Sequence, residues 1–414
     1  MRLHLACDND IHPPLFGATQ RLFGLARGMA ARASVRALCV VPNRSRGASE
    51  ERVAGVEIRR VRSWHTSVAW WLERGRLAPL FTAEAGHSAR AERYRHALGE
   101  PPDVLMCDLA LTGLLPGAGD ALRVYHAHNV EAERWRSIAP RLWARERWRA
   151  KLAALERRAV EESDCCVACT DEDAALLASL HGARDVEVVA NGFDETALSP
   201  ASPAARARAR AALGIREDAY VAAFVGGDWE PNHEALAWLV DRVLPPLAGD
   251  GFVLLAVGAV AKRHVGRPER WLVARAETPD LAPLLAAADA GLNPVSSGGG
   301  SNVKLPTYLG MGLAVLSTPF GLRGYAPLER NVVSVPRDGF ADALRERPRG
   351  WAARRDMPPA ALAEYAWGAL GARLAEAFAA RRRARAASDR AAADRAAAQP
   401  APDARGAANP GGAA

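Results

Sequence analysis

Short apolar runs alternate with amphipathic helical patterns along most of the 414-residue chain, and this alternation most constrains its fold. It occurs twice. Loops that contain glycine follow the predicted strands Leu3–Cys7 in the first half and Tyr220–Val225 in the second. Strands that alternate with helices form parallel sheets with helices on both faces. The sequence therefore predicts an α/β protein with two Rossmann-like domains that face each other across a cleft.

The predicted domain boundaries follow from prolines and from the end of the apolar periodicity. Pro200 and Pro203 interrupt the chain near its middle, so we expect a first domain over residues 1–195 and a second over 196–355. Helical spacing predicts a helix over 356–380. No large apolar residue follows Phe378, so residues 381–414 are expected to form a disordered tail.

Composition excludes several classes of protein. Hydrophobic residues make up 49% and charged residues 24% of the chain, as in soluble globular proteins. The amino terminus does not match a signal peptide, and no apolar run approaches the roughly 20 residues that cross a bilayer. We therefore expect a cytoplasmic protein. The net charge of +7 is modest, and no nucleic-acid partner is expected.

Six cysteines lie mostly in apolar segments. Cys166 and Cys169 have the spacing of a metal or redox pair, but neither a second pair nor a nearby histidine completes a site. We therefore expect buried, reduced thiols.

A glycine-rich stretch in the second half is a candidate anion site. Gly298, Gly299 and Gly300 follow a predicted strand, and Ser301, Asn302 and Lys304 come next. Glycines let the backbone approach a ligand closely, and a helix that begins at about Asn302 would offer free N–H groups to an anion. Lys304 would then lie beside that anion. The stretch predicts a diphosphate site rather than a flexible surface loop.

A second polar cluster follows the predicted strand Ala121–Tyr125. It contains His126, His128, Asn129 and Glu131 within six residues. Loops beyond the carboxyl ends of parallel strands face the ligand crevice, so a histidine there is a functional candidate. We interpret His128 as a functional residue.

An Arg/Trp-rich stretch over 133–151 follows this cluster and includes Trp135, Trp143 and Trp148. Basic helices with tryptophan suit the headgroup region of an anionic membrane. A solvated helix whose aromatic residues pack against a neighbour explains the pattern equally well, and both interpretations stay open.

Asp8 and Asp10 form a D-x-D pattern after the first predicted strand. Some sugar transferases hold a divalent ion on a diphosphate with this pattern. In this position the pattern is more typical of turns and helix caps, so we predict no metal site and no cofactor.

The order of these motifs resembles the retaining, family-4 type of GT-B glycosyltransferase over roughly residues 1–380. The motifs that carry the resemblance are Gly17, the segments 128–131, 191–194, 226–232 and 278–281, and above all 298–304 with 311–315. The resemblance implies the GT-B arrangement, in which a carboxyl-terminal helix crosses back to the first domain. It also implies an enzyme that uses a nucleotide-sugar, of the hexosyltransferase type.

The resemblance also implies roles for individual residues. His128 and Lys304 would be catalytic, with His128 pointing at the donor sugar and Lys304 neutralising the diphosphate. The residues expected to bind the donor are Gly17, Gly226, Gly227, Asp228, Gly298, Gly299, Gly300, Ser301, Asn302 and Thr307. On the acceptor side the resemblance places Asn129, Glu131 and Arg134.

The chain departs from the family pattern at two positions. The family often has two glutamates separated by seven residues, on the donor sugar and on the ribose, and these positions are Gly299 and Thr307 here. In addition, no Arg or Lys follows Gly226 and Gly227, where many members have a second cation for the phosphates.

These departures keep three functions open. The first is transfer of a sugar to a glycan or lipid-linked acceptor in polysaccharide biosynthesis, with an anionic membrane surface as a further partner of a peripheral protein. The second is a non-catalytic GT-B scaffold in polysaccharide assembly, which the missing glutamates favour. The third is a nucleotide-sugar 2-epimerase, which shares this fold and needs no acceptor.

Overall fold

The protein is described by a computed structural model that covers residues 1–45, 47–74, 88–138, 145–276, 278, 280–346 and 360–397. Its strands form two sheets, as the alternation predicts. The strands are β1 (Arg2–Cys7), β2 (Ser34–Pro42), β3 (Glu50–Val53), β4 (Val56–Ser63), β5 (Val104–Asp108), β6 (Leu122–His126), β7 (Cys165–Ala168), β8 (Val186–Val188), β9 (Tyr220–Val225), β10 (Phe252–Val257), β11 (Leu272–Arg275), β12 (Ala290–Asn293), β13 (Ala314–Ser317) and β14 (Val332–Ser334).

Helices connect these strands. The α-helices are α1 (Gly17–Ala30), α2 (Trp64–Arg74), α3 (Ser88–Leu98), α4 (Glu131–Ile138), α5 (Arg145–Glu161), α6 (Asp171–His181), α7 (Pro203–Leu213), α8 (Glu230–Trp238), α9 (Ala282–Leu285), α10 (Lys304–Gly310), α11 (Phe340–Arg345) and α12 (Trp367–Ala397). Short 3-10 helices cover Leu109–Gly117, Pro245–Asp250, Ala259–His264, Pro319–Leu322, Ala326–Asn331, Arg337–Gly339 and Ala360–Tyr365, and Leu239–Val243 is a π-helical turn.

The two sheets share one topological feature. The first has the order β3-β4-β2-β1-β5-β6-β7-β8, and the second has the order β11-β10-β9-β12-β13-β14. All pairs are parallel except β3 with β4. The strand order reverses beside β1 in the first sheet and beside β9 in the second. In open parallel sheets the ligand crevice lies at the carboxyl ends of the strands at this switch point. The loops after β1, β5, β9 and β12 are therefore placed to form a site.

The prediction of an α/β protein with two Rossmann-like sheets is confirmed. The predictions missed two short strands, β3 and β14. β3 is an edge strand of sequence Glu-Glu-Arg-Val whose charges gave no apolar signal. The helix expected to open at about Asn302 begins at Lys304 instead.

The carboxyl-terminal helix α12 packs against α1 of the first domain. Gly24, Gly28 and Gly371 allow this close approach. A Cβ atom on Gly28 would lie 2.2 Å from the carbonyl oxygen of Trp367, and one on Gly371 would lie 2.6 Å from the Cα atom of Gly28. Trp367, Leu370, Leu374 and Phe378 are buried in the core of the first domain. The expected helix that crosses back to this domain is therefore present.

The expected disorder from residue 381 is wrong as far as residue 397, because α12 continues to Ala397. Alanine and arginine are strong helix formers, and they dominate this segment. Ion pairs also hold it against the first domain, with Arg381 Nη2 lying 2.7 Å from Asp185 and Arg385 Nη1 lying 3.2 Å from Asp164. Residues 398–414 lie outside the described part of the chain.

Two further expectations concern burial. All six cysteines are free and buried, as expected for reduced thiols. Within the described ranges, no helix is both long and apolar enough to cross a bilayer.

The Arg/Trp-rich stretch forms α4 and α5, which pack against each other. Trp135 is only 3% exposed and lies against Leu152, with Trp148 packed beside them. The interpretation of Trp135 as a membrane-seated residue is therefore wrong, because its ring fills the space between two helices. Trp143 lies outside the described residues.

Candidate functional site

Two glycine loops form the second-domain half of the site. Gly226 and Gly227 follow β9, and Gly298 to Gly300 follow β12. The φ angles of Gly298 and Gly300 are +115° and +63°, which lie in the left-handed region that favours glycine. At Gly226 a Cβ atom would lie 3.0 Å from the side chain of Asn232. Both loops therefore depend on glycine for their shape and for their close packing.

Lys304 lies at the start of α10, between these loops. Its ammonium donates a hydrogen bond to Oδ1 of Asn232 over 2.8 Å and lies 5.1 Å from the centre of the Phe224 ring. In the described part of the chain, no carboxylate pairs with it. Burial lowers the pKa of Lys304 to about 7. A negatively charged ligand beside Lys304 would favour its protonated form.

Four other residues predicted to bind the donor have protein partners. The Ser301 hydroxyl accepts a hydrogen bond from the backbone N–H of Asn191 over 3.1 Å, and the carbonyl of Asn302 accepts one from the Tyr325 hydroxyl over 3.0 Å. Thr307 donates to the carbonyl of Val303 within its own helix. The carboxylate of Asp228 lies 2.7 Å from Nε2 of His233. These contacts shape the loops around Lys304.

The first-domain half of the site centres on Asp108 at the end of β5. One carboxylate oxygen of Asp108 lies 2.8 Å from Nδ1 of His126, and the other lies 3.2 Å from Nε2 of His128. Burial raises the pKa of Asp108, but the two histidines outweigh this effect and hold the pKa below its usual range. Asp108 is therefore a buried carboxylate shared by two imidazoles.

Arg21 of α1 reaches the same cluster from the opposite side. Its Nε donates to Nε2 of His126 over 2.9 Å, and its Nη1 donates to the carbonyl of Val189 over 2.7 Å. Arg21 and His126 are almost completely buried. Burial is the main reason why the pKa of His126 falls to about 3. His126 is therefore neutral at physiological pH.

The predicted acceptor-side residues form a buried ion pair. Arg134 bonds to Glu131, and Asn129 donates to Glu131 over 3.1 Å. Burial raises the pKa of Glu131, and Arg134 partly opposes this shift. The guanidinium of Arg134 also lies 4.9 Å from the centre of the Trp229 ring in the second domain. Arg134 thus connects the acceptor-side cluster to the loop after β9.

The loops of the two domains meet directly. A Cβ atom on Gly299 would lie 2.7 Å from Oδ1 of Asn129, and one on Gly300 would lie 2.6 Å from the carbonyl oxygen of His128. A Cβ atom on Gly17 would lie 3.5 Å from the side chain of Val303. The structure therefore brings the loop that contains His128 into contact with the glycine loop that precedes Lys304. It also leaves no space for a side chain at Gly299, one of the two positions where the family often has glutamate.

The D-x-D residues have separate environments. Both carboxylate oxygens of Asp10 accept from Nε of Arg60, over 2.8 and 2.9 Å. Asp8 is buried at the end of β1, where desolvation and the charge of Asp108 raise its pKa to about 8. Asp10 thus has an ion-pair partner, and this arrangement fits a structural role better than a metal site.

Sequence reasoning missed several residues of the site. Asp108 follows an apolar run directly, so the rule for carboxyl ends of strands could have found it, as it found the cluster after β6. Glu156 lies in a helix whose many charged residues are typical of a solvent-exposed segment. Its carboxylate nevertheless accepts hydrogen bonds from the N–H groups of Glu131 and Ala132 over 2.7 and 3.1 Å and caps α4. Arg21 lies on an apolar helical face and gave no signal.

Comparison with known proteins agrees with this architecture. The sequence profile of Glycosyltransferase Family 4 matches residues 17–197. A D-inositol 3-phosphate glycosyltransferase from Kribbella flavida is 48% identical over 73 residues, which span 17% of this chain and only 16% of that relative.

Solved structures extend the likeness to nearly the whole chain. The sucrose-phosphate synthase from Thermosynechococcus elongatus has a TM-score of 0.63 at 16% identity, covering 91% of this chain and 95% of that one. The Anabaena protein HepE, in complex with UDP and glucose, has a TM-score of 0.58 at 16% identity, covering 91% and 99%. The protein therefore has the GT-B fold of these structures, and residues 17–197 match the Glycosyltransferase Family 4 profile.

Proposed function

We propose that this protein transfers a sugar, of the hexose type, from a nucleotide-diphosphate donor to a glycan or lipid-linked acceptor with retention of configuration. The observation that carries this proposal is the ammonium of Lys304. It is partly buried between two glycine loops, it has a neutral amide as its hydrogen-bond partner, and its pKa falls to about 7. A diphosphate supplies the missing negative charge. The complex of HepE with UDP supports this class of ligand.

Catalysis follows from the charge that develops as the donor breaks. When the bond between the sugar and the diphosphate lengthens, negative charge accumulates on the departing phosphate oxygens. A cation already fixed beside those oxygens stabilises the transition state without reorganisation. Lys304 provides that cation, so the proposed reaction needs no metal ion and no cofactor.

The first domain supplies the other side of the reaction. His128 faces the second domain at the glycine turn after β12, where its carbonyl meets Gly300. We place the donor sugar beside the His128 imidazole and the acceptor beyond it, next to Asn129, Glu131 and Arg134. In a retaining transfer, the acceptor attacks from the same face of the sugar that the diphosphate leaves.

One observation favours the scaffold alternative. Asn129 occupies the space at Gly299, and the Thr307 hydroxyl bonds to its own helix. Neither position offers a carboxylate to the sugar or ribose. A scaffold would bind little or no nucleotide, whereas the transferase requires nucleotide binding.

The decisive experiment is calorimetric titration of the full chain with UDP, ADP and GDP. We expect one of these to bind with a stoichiometry of one, and Lys304→Ala to abolish the binding. Binding of none of them by the folded protein would contradict the proposed donor site. Incubation with a nucleotide-sugar that carries the preferred base then distinguishes a transferase from an epimerase, since only an epimerase converts it to its epimer without an acceptor.

A membrane surface remains part of the proposal, with a different helix as the contact. Trp64, Val68 and Trp71 of α2 are 74%, 55% and 65% exposed and recur at helical spacing. Glu73 of the same helix lies 3.8 Å from Arg134, so α2 adjoins the Arg/Trp-rich stretch. Exposed tryptophans beside basic residues suit the headgroups of anionic lipid. This contact would place the acceptor side of the cleft near a lipid-linked substrate.

Sedimentation with vesicles of anionic lipid tests this contact. We expect wild type to sediment at low salt and to be released at high salt. The double variant Trp64→Ser, Trp71→Ser should stay in the supernatant, while Trp238→Phe, at a tryptophan partly buried against the core of the second domain, should behave like wild type. Wild type that stays in the supernatant at low salt would indicate a soluble acceptor.

A further inference from the structure

Four side chains form a continuous hydrogen-bonded chain from the interior of the first domain to its cleft. Arg21 bonds to His126, His126 to Asp108, and Asp108 to His128, over 2.9, 2.8 and 3.2 Å. The first three are at most 2% exposed, and the His128 side chain is 19% exposed. The chain therefore connects a buried cation to an imidazole at the surface of the cleft.

The direction of every hydrogen bond in this chain follows from its first member. A guanidinium has donors and no acceptor, so Nε2 of His126 must accept the hydrogen bond from Arg21. A neutral imidazole has one N–H, and in His126 this N–H must be on Nδ1, where it donates to Asp108. The other oxygen of Asp108 is an acceptor as well, so Nε2 of His128 carries the proton that it receives.

We propose that Arg21, acting through His126 and Asp108, fixes His128 as the tautomer with its proton on Nε2 and a free lone pair on Nδ1. In the described residues, Nδ1 of His128 has no hydrogen-bond partner. Given the function proposed above, this lone pair accepts a hydrogen bond from a hydroxyl group of the donor sugar or the acceptor. Arg21, His126 and Asp108 are then positioning residues, and His128 is the residue that touches substrate.

A metal ion is the competing explanation for this cluster. One ligand atom from each of Asp108, His126 and His128 lies within 4.8 Å of the others, which is close enough to surround an ion. However, both ring nitrogens of His126 are already engaged, and the positive charge of Arg21 lies against one of them. To bind a metal through Nδ1, His126 would need its proton on Nε2, directly facing the N–H of Arg21. The hydrogen-bonded chain avoids this conflict.

Nitrogen NMR of the histidines tests the proposal without any substrate. In the ligand-free protein labelled with ¹⁵N-histidine, long-range ¹H–¹⁵N spectra distinguish protonated from lone-pair nitrogens. The ten histidines are assigned by replacing His126 and His128 in turn with asparagine. At the high-pH limit of the titration, we expect the proton on Nδ1 in His126 and on Nε2 in His128.

The isosteric variant Asp108→Asn gives the sharpest result. Because Arg21 still holds the proton of His126 on Nδ1, the amide oxygen must face His126 and the amide NH₂ must face His128. His128 is then forced to the opposite tautomer, with its proton on Nδ1. In the double variant Arg21→Met, Asp108→Asn, the proton of His126 is no longer fixed on Nδ1, and His128 should show both tautomers. The control is Asp164→Asn, which removes a carboxylate paired with Arg123. It should leave the tautomers of both histidines unchanged.

Kinetics supply a second readout. Asp108→Asn should lower kcat roughly tenfold with little change in KM for the donor, the loss expected for one hydrogen bond. A wild-type His128 with its proton on Nδ1, or an unchanged His128 tautomer in folded Asp108→Asn, would overturn the proposal. Stoichiometric binding of Zn²⁺ that displaces the His126 proton would overturn it as well. An inactive protein with the expected tautomers would instead contradict the proposed function alone.

Discussion

The two halves of the cleft differ in how completely their polar groups are paired. On the first domain, Arg21, His126, Asp108 and His128 bond to one another, and Glu131 pairs with Arg134. On the second domain, the ammonium of Lys304 has a neutral partner, Asn232, and lies over the ring of Phe224. The first half is electrostatically satisfied without a ligand, whereas the second half lacks an anion.

This difference indicates which half depends on its ligand. A buried network of paired charges and hydrogen bonds holds its side chains in one orientation. A cation without a counter-ion is costly to bury, and a bound anion removes that cost. We therefore expect the first half to position groups and the second half to bind charge. Four predictions test this division, in order of decreasing effect.

The largest effect is expected from Lys304→Ala. Loss of the fixed cation should lower kcat/KM by roughly 100- to 1000-fold, the range seen when one group that stabilises developing charge is removed. The secondary structure, measured by circular dichroism, should not change. The matched control is Lys262→Ala, an exposed lysine of the same domain, which should keep full activity. Full activity of folded Lys304→Ala would remove the basis for assigning two different roles to the halves.

The second prediction concerns the glycines where the halves meet. Gly300→Ala should destabilise the protein by about 1–2 kcal/mol, because its φ of +63° is unfavourable for alanine. It should also lower kcat/KM, since the new Cβ would lie 2.6 Å from a backbone carbonyl that cannot rotate away. Gly299→Ala should have a smaller effect, because its Cβ meets the side chain of Asn129 rather than a backbone carbonyl.

A double-mutant comparison sharpens this distinction. Asn129→Ala should relieve the destabilisation of Gly299→Ala and leave that of Gly300→Ala in place, as measured by chemical unfolding. Gly249→Ala, where a Cβ atom would have no neighbour within 4 Å, is the control. Equal relief of both variants would show that the two glycines do not meet the first domain as described.

The third prediction is a pH dependence of nucleotide binding. Lys304 has a pKa of about 7 without ligand, and a diphosphate raises it. Between these two pKa values the complex holds one proton more than the free protein, so binding takes up a proton and weakens as the pH rises. The affinity should fall by up to about tenfold per pH unit above pH 7. Calorimetry in buffers of different ionisation enthalpy measures the proton uptake, which should vanish in Lys304→Arg.

The smallest effect is expected from chelation. Asp10 is paired with Arg60, and Lys304 supplies the charge for the diphosphate, so EDTA should leave the rate of transfer unchanged. A strict requirement for added Mg²⁺ or Mn²⁺ would instead indicate that the D-x-D residues bind a metal. Asp10→Asn distinguishes the two outcomes, because in the folded variant it should abolish transfer if the D-x-D residues bind a required metal and leave the rate unchanged if they do not.

The elements of the fold were predictable where the sequence pattern is local. Apolar runs such as Tyr220–Val225 match their strands closely, and the glycines at 298–300 identified a turn in which two residues have positive φ angles. The edge strand β3 was not predictable, because its charged residues give no apolar pattern and pair with β4 through the backbone and through ion pairs such as Glu51 with Arg60. The helical segment after Phe378 was missed since its stabilising ion pairs join residues nearly 200 positions apart.

The site was predictable to a similar extent. The histidine loop and Lys304 were predictable, because polar residues follow predicted strands there. The residues that orient them were not predictable, because Arg21 and His126 are 105 positions apart in the sequence and Asn232 and Lys304 are 72 positions apart. Such long-range hydrogen bonds depend on the tertiary structure and leave no local pattern.

The charge state of Lys304 tests the central claim most directly. The chain contains three lysines, Lys151, Lys262 and Lys304, so NMR of lysine labelled at its terminal carbon and nitrogen resolves each one. Without ligand, Lys304 should titrate near pH 7. Saturating nucleoside diphosphate should move the Lys304 titration upward by more than one pH unit and leave the others unchanged. A Lys304 whose pKa is not lowered without ligand and does not respond to any nucleotide would contradict the account.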